Sequence, residues 1–227
     1  MSILGFGRHA LTSCVAAAML AGCGGSQPPL GAPGAMAQAP AIVHPAQPIV
    51  SSTQNSSLSY KVLHSFGGSG DGSVPTAGLM NVKGTLYGTT YAGGGSGDGT
   101  IFSITPSGTE TVLHRFGSQS DDGALPYAGL LNVKGTLYGT TYYGGANYYG
   151  YGTVFSITPS GTETVLHSFA GVEHGDGLYP QAGLINVNGT LYGTTSGGGT
   201  YCCGTVFKVT TRGKETVLHS FGGSGDG

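Results

Sequence analysis

The sequence has no tryptophan and little charge: 8 Lys plus Arg and 10 Asp plus Glu among 227 residues, 8% in all. An average soluble domain carries about 25%, so ion pairs supply little of this chain's surface. The few cations stand singly and form no basic stripe that would neutralise phosphates, which argues against nucleic acid as a partner. The four cysteines show no zinc-ligand spacing, and no Gly-x-Ser-x-Gly elbow or repeat-breaking pair of carboxylates marks a nucleophilic or acid–base site. Long apolar runs are missing too. The longest candidate, residues 11–22, falls well short of the roughly 20 residues that span a bilayer. What the chain does have is glycine, 45 residues, with 11 prolines. That composition without a period would point to a disordered chain.

Residues 11–22 have the proportions of a secretory h-region behind a head that carries Arg8. The run ends Leu20-Ala21-Gly22-Cys23, which resembles the lipobox of bacterial lipoproteins, where the chain is cut before the cysteine and the cysteine is acylated. The resemblance implies a signal peptide over residues 1–22, lipid attachment at Cys23 and a membrane partner reached through acyl chains. Gly24 rather than Asp after the cysteine implies sorting to the outer membrane or cell surface, with a periplasmic or secreted protein as the alternative. Loss of Arg8 with the leader leaves no polybasic patch for anionic lipid.

Residues 23–58 carry six of the prolines and no charge. Such a segment buries too little apolar surface to offset its ordering entropy. It reads as a tether reaching roughly 30 to 100 Å between coil and polyproline limits.

From residue 59 onward a period appears. Val62-Leu63-His64-Ser65-Phe66 returns at Val112, Val165 and Val217, at spacings of 50, 53 and 52. Asn81-Val82-Lys83-Gly84-Thr85-Leu86-Tyr87-Gly88-Thr89-Thr90 returns from Asn132 and, with Asn188 for Lys, from Asn186. Each repeat holds four β-rich runs, in the first copy 60–66, 77–82, 85–91 and 100–105, separated by Gly, Pro, Asn and Asp. Lys83-Gly84, Lys134-Gly135 and Asn188-Gly189 suit hairpin turns with positive φ. Four strands in about 50 residues predict an all-β, propeller-like array of four-stranded blades. Residues 59–227 hold three full repeats and the start of a fourth. The array is therefore expected to be an open arc, either a piece of a longer protein or, if complete, one that self-associates to cover its sheet edges.

The blocks Asp71-Gly72, Pro75-x-Ala77-Gly78-Leu79, Thr85-Leu86-Tyr87-Gly88-Thr89-Thr90, Gly99-Thr100-Ile101-Phe102 and Thr105-Pro106-Ser107-Gly108-Thr109-Glu110 resemble the Gloeobacter and Verrucomicrobia tandem repeat of bacterial surface or exported proteins. The resemblance implies an anchored repeat protein and carries no catalytic residues.

Two loops account for the variation in period. From Phe to the next Asp the spacing is 5, 6 and 7, and from the last Thr of the shared block to the Gly opening the following strand it is 9, 11 and 9. In an antiparallel meander these loops fall at one end of the sheet and the constant turns at the other. Variation gathered at one end is how repeat scaffolds display a binding surface. The richest loop carries Tyr142, Tyr143, Tyr148, Tyr149 and Tyr151, a composition suited to a glycan or a surface protein.

His64, His114, His167 and His219 could converge on an axis as metal ligands, but each sits between Val-Leu and Phe on a strand, the setting of a structural histidine. The recurring Asp-Gly pairs at Asp71, Asp122, Asp176 and Asp226 offer too few carboxylates each for calcium and read as turns. Adjacent Cys202 and Cys203 leave three options open: a vicinal disulfide, an intermolecular bond, or two thiols. No metal, cofactor or catalytic residue is expected, and the chain reads as a binding or structural module rather than an enzyme. The alternative is a secreted carbohydrate-active enzyme whose catalytic part lies beyond residue 227.

Overall fold

The computed structural model describes residues 59–146 and 150–226. The expectations for the leader, Cys23, the tether, Tyr148 and Tyr149 fall outside these residues. Within them the chain is all-β apart from one 3-10 turn, Val172–His174.

Three four-stranded antiparallel blades follow one another, each with its strands in chain order. The first is Met80–Val82, Thr85–Thr90, Thr100–Ile104 and Glu110–Arg115. The second is Leu131–Val133, Thr136–Thr141, Thr153–Ile157 and Glu163–Ser168, and the third is Ile185–Val187, Thr190–Thr195, Thr205–Thr210 and Glu215–Ser220. Among the described residues no barrel closes, and the blades form an open arc. No described helix is long and apolar enough to cross a membrane.

The strand phase differs from the sequence reading. Residues 60–66 form no strand, and the first sheet is completed by Glu110–Arg115 from the start of the next repeat. The cause is local: Glu110–Arg115 lies one tight turn after Thr100–Ile104, whereas 60–66 has no sequential partner among the described residues. The 60–66 segment lies on the blade's face instead, with the Phe66 ring 4.9 Å from that of Phe102.

The first turn of each blade has both central residues at positive φ: Lys83 and Gly84 at 53° and 88°, Lys134 and Gly135 at 54° and 93°, Asn188 and Gly189 at 51° and 85°. That geometry matches the twist of a hairpin. The Asn that opens each turn closes it, its side-chain oxygen accepting the glycine N–H at 2.9 Å in all three copies.

The cores lie between blades. One contains Tyr87, Ile101, Phe116, Leu130, Leu137, Phe155 and Ile157, and the other contains Tyr138, Val154, Phe169, Leu184, Leu191, Phe207 and Val209. Successive residues of the middle blade divide between them: Leu137 and Phe155 face backward, Tyr138 and Val154 forward. A strand buried on both faces requires this continuous apolar pattern. Phe116 and Phe169, each just after a blade's last strand, are wholly buried against Phe155 and Phe207 of the following blade at 5.4 and 5.1 Å. Burial of one such ring is worth roughly 2–3 kcal/mol.

Candidate functional site

Two features stand out: a cluster at each blade junction, and the end where the variable loops meet.

At the junctions, the repeat histidines do not converge on an axis. Each donates from Nε2 to the aspartate of its own outgoing loop: His64 to Asp71 at 2.9 Å, His114 to Asp122 at 3.1 Å, His167 to Asp176 at 3.0 Å. The aspartate also caps the loop. Asp122 accepts the N–H of Gly123 at 2.8 Å and of Ser118 at 3.3 Å, and Asp176 accepts those of Gly177 at 2.6 Å and Ala170 at 2.8 Å. A glutamate from the next blade joins each pair, giving His64–Asp71–Glu110, His114–Asp122–Glu163 and His167–Asp176–Glu215, with one ligand-type atom from each residue within 4.8 Å of the others.

The electrostatics follow from burial. Oε1 of Glu110, Glu163 and Glu215 is buried without a hydrogen-bond partner. Burial pushes the Glu163 carboxyl up to about 7, the charges of Asp122 and Asp121 push the same way, and His114 opposes them. Burial and Asp176 together bring Glu215 to about 7 against the pull of His167, and Glu110 is raised for the same reasons. Asp71 moves the other way: burial alone would raise it, but hydrogen bonds from His64, Gly72 and Gly67 hold it below the ordinary carboxylate range. One nitrogen and two oxygens per set are ligand types a divalent cation accepts. The aspartate oxygens, however, already hold the histidine and backbone N–H groups, and the glutamate Oε1 faces that pair without a hydrogen bond.

Sequence reasoning separated these residues. It read histidine as structural and Asp-Gly as turn-forming, and it passed over the glutamates. The available signal was their common phase: each glutamate stands four residues before the next histidine of the series. The glycine of Asp-Gly has its own reason, because a Cβ on Gly123 would lie 2.5 Å from both Oγ1 and Cγ2 of Thr141. That threonine shares a buried hydroxyl–hydroxyl hydrogen bond of 2.8 Å with Thr153, repeated as Thr195–Thr205.

At the other site, the two variable loops of each repeat pair with each other. Gly72–Ser73 pairs with Ala92–Gly93, Gly123–Ala124 with Tyr143–Gly144, and Gly177–Leu178 with Gly197–Gly198. Backbone bonds then lock the loop ends: Tyr91 N–H to Val74 O at 3.0 Å, Tyr142 N–H to Leu125 O at 3.1 Å and Ser196 N–H to Tyr179 O at 3.2 Å. Val74, Leu125 and Tyr179 all hold positive φ, 54° to 59°, a strained conformation for a side chain with a Cβ.

These loops gather tyrosines into one run. Tyr91 lies 4.6 Å from Tyr127, Tyr127 lies 5.3 Å from Tyr142, and Tyr142 stacks on Tyr179 at 4.9 Å with 20° between the planes. Tyr143 meets both Tyr142 and Tyr179 edge-on, at 4.5 and 5.3 Å, and Tyr151 meets Tyr179 at 5.9 Å. Three of the expected binding tyrosines, Tyr142, Tyr143 and Tyr151, are thus brought together. Tyr91, Tyr127 and Tyr179 belong to the same group, and sequence reasoning missed them because they lie in other loops.

Cys202 and Cys203 are exposed thiols with their sulfurs 3.8 Å apart, unbonded. The hydrogen bond between them raises the Cys203 thiol.

Comparison with known proteins agrees with the repeat architecture. The sequence model of one family, described as the Gloeobacter/Verrucomicrobia repeat, matches residues 47–227. None of the curated proteins matches.

Proposed function

Since the chain belongs to the Gloeobacter/Verrucomicrobia repeat family, we propose that it is an exported, lipid-anchored repeat protein that presents the loop end of its blades as a binding surface. One observation carries this reading: the two loops that change length between repeats hydrogen-bond to each other at the same end of every blade, while the opposite end carries nearly invariant turns. Selection that tolerates change at one end only is how repeat scaffolds acquire ligands.

The anchor part of the proposal rests on Leu20-Ala21-Gly22-Cys23 and the uncharged stretch behind it. Acyl chains on Cys23 would supply membrane affinity, and the tether would hold the blades clear of the headgroups, at the outer membrane or cell surface. The module is non-catalytic in this reading. The acid clusters recur in equivalent form in all three repeats, as a fold requirement does, whereas a catalytic centre departs from the repeat at one place.

Two experiments test the two halves. For the anchor, the wild-type chain should fractionate with membranes and carry acyl groups by mass spectrometry, and Cys23→Ala should abolish both. For the surface, replacement of the 142–151 loop by its shorter counterpart 91–98 should remove retention on cell-envelope preparations without unfolding the chain. Unchanged retention overturns the loop-end reading.

A further inference from the structure

We infer that the tyrosine run at the loop end between the second and third blades, centred on Tyr127, Tyr142, Tyr143 and Tyr179, is a binding site for a neutral glycan. This rests on the loop-end reading above and assigns it a ligand class.

The fold does not require these rings. The third blade holds the same backbone arrangement without three of them: its counterparts of Tyr142, Tyr127 and Tyr143 are Ser196, Gln181 and Gly197, the first two meeting through a 3.2 Å hydrogen bond, and the Ser196 N–H reaches Tyr179 O as Tyr142 N–H reaches Leu125 O. In the first repeat, Val74 and Thr76 stand where Tyr179 and Gln181 stand in the third. Aromatic side chains at these loop positions are therefore a feature of one neighbourhood, added to a scaffold that closes without them.

The rings remain accessible. Tyr127 and Tyr143 are each 40% exposed at the rim of the cluster, while Tyr142 and Tyr179 form a stacked floor. That floor is rigid, because the Tyr179 backbone is pinned at φ 59° between its N–H bond to Tyr151 O at 2.9 Å and the bond it accepts from Ser196. Tyrosine has few rotamers to lose, so ordering such a platform on binding costs little.

The chemistry selects the ligand. The cluster's electrostatic neighbours are tyrosines: Tyr127, Tyr143 and Tyr142 act on Tyr91, and Tyr143, Tyr179 and Tyr127 act on Tyr142, with no cation or carboxylate among these influences. Both phenols are raised, so they stay protonated and can donate as well as accept hydrogen bonds. Ring faces with neutral hydroxyls complement the C–H faces and hydroxyls of a pyranose. An anionic polymer would find no cation among the groups that act on these two phenols.

The test uses the full chain in mild detergent, which keeps the apolar leader or any acyl group from driving association. Since the chain has no tryptophan among its aromatics and 13 tyrosines, the cluster is read as the part of the tyrosine emission change on binding that Tyr143→Ala and Tyr127→Ala remove. Cellohexaose and chitohexaose serve as neutral probes, and polygalacturonate as the anionic one, with calorimetry alongside fluorescence. The expected result is saturable binding of a neutral probe that changes little over a tenfold rise in salt. Tyr143→Ala and Tyr127→Ala should each weaken it about tenfold or more, Tyr143→Phe should retain most of it, and Tyr201→Ala, at an exposed tyrosine outside the cluster, should leave it unchanged. Thermal melts of every variant separate lost contacts from lost folding.

Salt-sensitive binding of polygalacturonate alone overturns the neutral-glycan assignment. So does an absence of binding to all probes while the 142–151 replacement still abolishes envelope retention, and in that case the loop-end reading survives with a protein ligand. If neither probe binding nor retention depends on these residues, both fail.

Discussion

Glu163 of the second blade reaches across the junction to Asp122 of the loop leaving the first, and its buried Oε1 finds no hydrogen-bond partner there. Two carboxyls in one partly buried site cannot both ionise freely. The glutamate yields, with its carboxyl pushed up to about 7, while the aspartate is committed to His114 and to the N–H groups of Gly123 and Ser118.

Stability should therefore depend on pH through the junction glutamates. A carboxyl raised on folding favours the native state most below its unfolded value of about 4.5, and that contribution is lost as pH rises through about 7. Chemical denaturation should give a lower midpoint at pH 8 than at pH 5.5. Glu163→Gln should recover about 1 kcal/mol at pH 8, allowing for solvent screening of a half-buried group, and much less at pH 5.5. An equal effect at both pH values would rule out ionisation as the cause.

Loss of the aspartate should cost most where it is most buried. Asp122→Ala strands His114 and two backbone N–H groups at a side chain only 2% exposed, for an expected loss of about 2–4 kcal/mol. Asp226→Ala, where His219 is 48% exposed, should cost under about 1 kcal/mol. Urea midpoints of the two variants give the ranking.

The glycines divide by mechanism. Gly123→Ala drives a methyl group into Thr141 and should cost about 2 kcal/mol or more. Gly135→Ala meets no atom within 4 Å but must hold φ 93°, costing about 1 kcal/mol. The second penalty should be matched at Gly84 and Gly189, which lie in the same turn.

Chelation should leave the blades intact. The aspartate oxygens at each junction are occupied by protein donors, so EDTA should shift the melting temperature by less than about 1 °C. A rise of several degrees on adding zinc, removed by Glu163→Gln, would reassign the acid clusters as metal sites.

Much of this architecture is local and was legible as such. Strand positions follow from β-rich runs, and the hairpins from Lys83-Gly84 and its copies, because hydrogen bonds between neighbouring strands and the φ demands of a two-residue turn involve residues close in sequence. That the variable loops share one end follows from their lengths and the alternation of a meander, and the paired Gly123–Ala124 and Tyr143–Gly144 are its outcome. The phase of the blades was misjudged because 60–66 and Glu110–Arg115 are near-copies in sequence. Only the presence of a preceding partner strand distinguishes them.

The sequence by itself determined the period, most of the strands, the tight turns and which loops share an end. Tertiary structure decided what crosses a junction: that Glu163, 49 residues after His114, completes its cluster, and that Tyr127, Tyr142 and Tyr179 from three separate loops form one run of rings. Repetition writes local geometry into every copy, but a contact between copies depends on the angle and distance at which two sheets pack, and no single repeat encodes these.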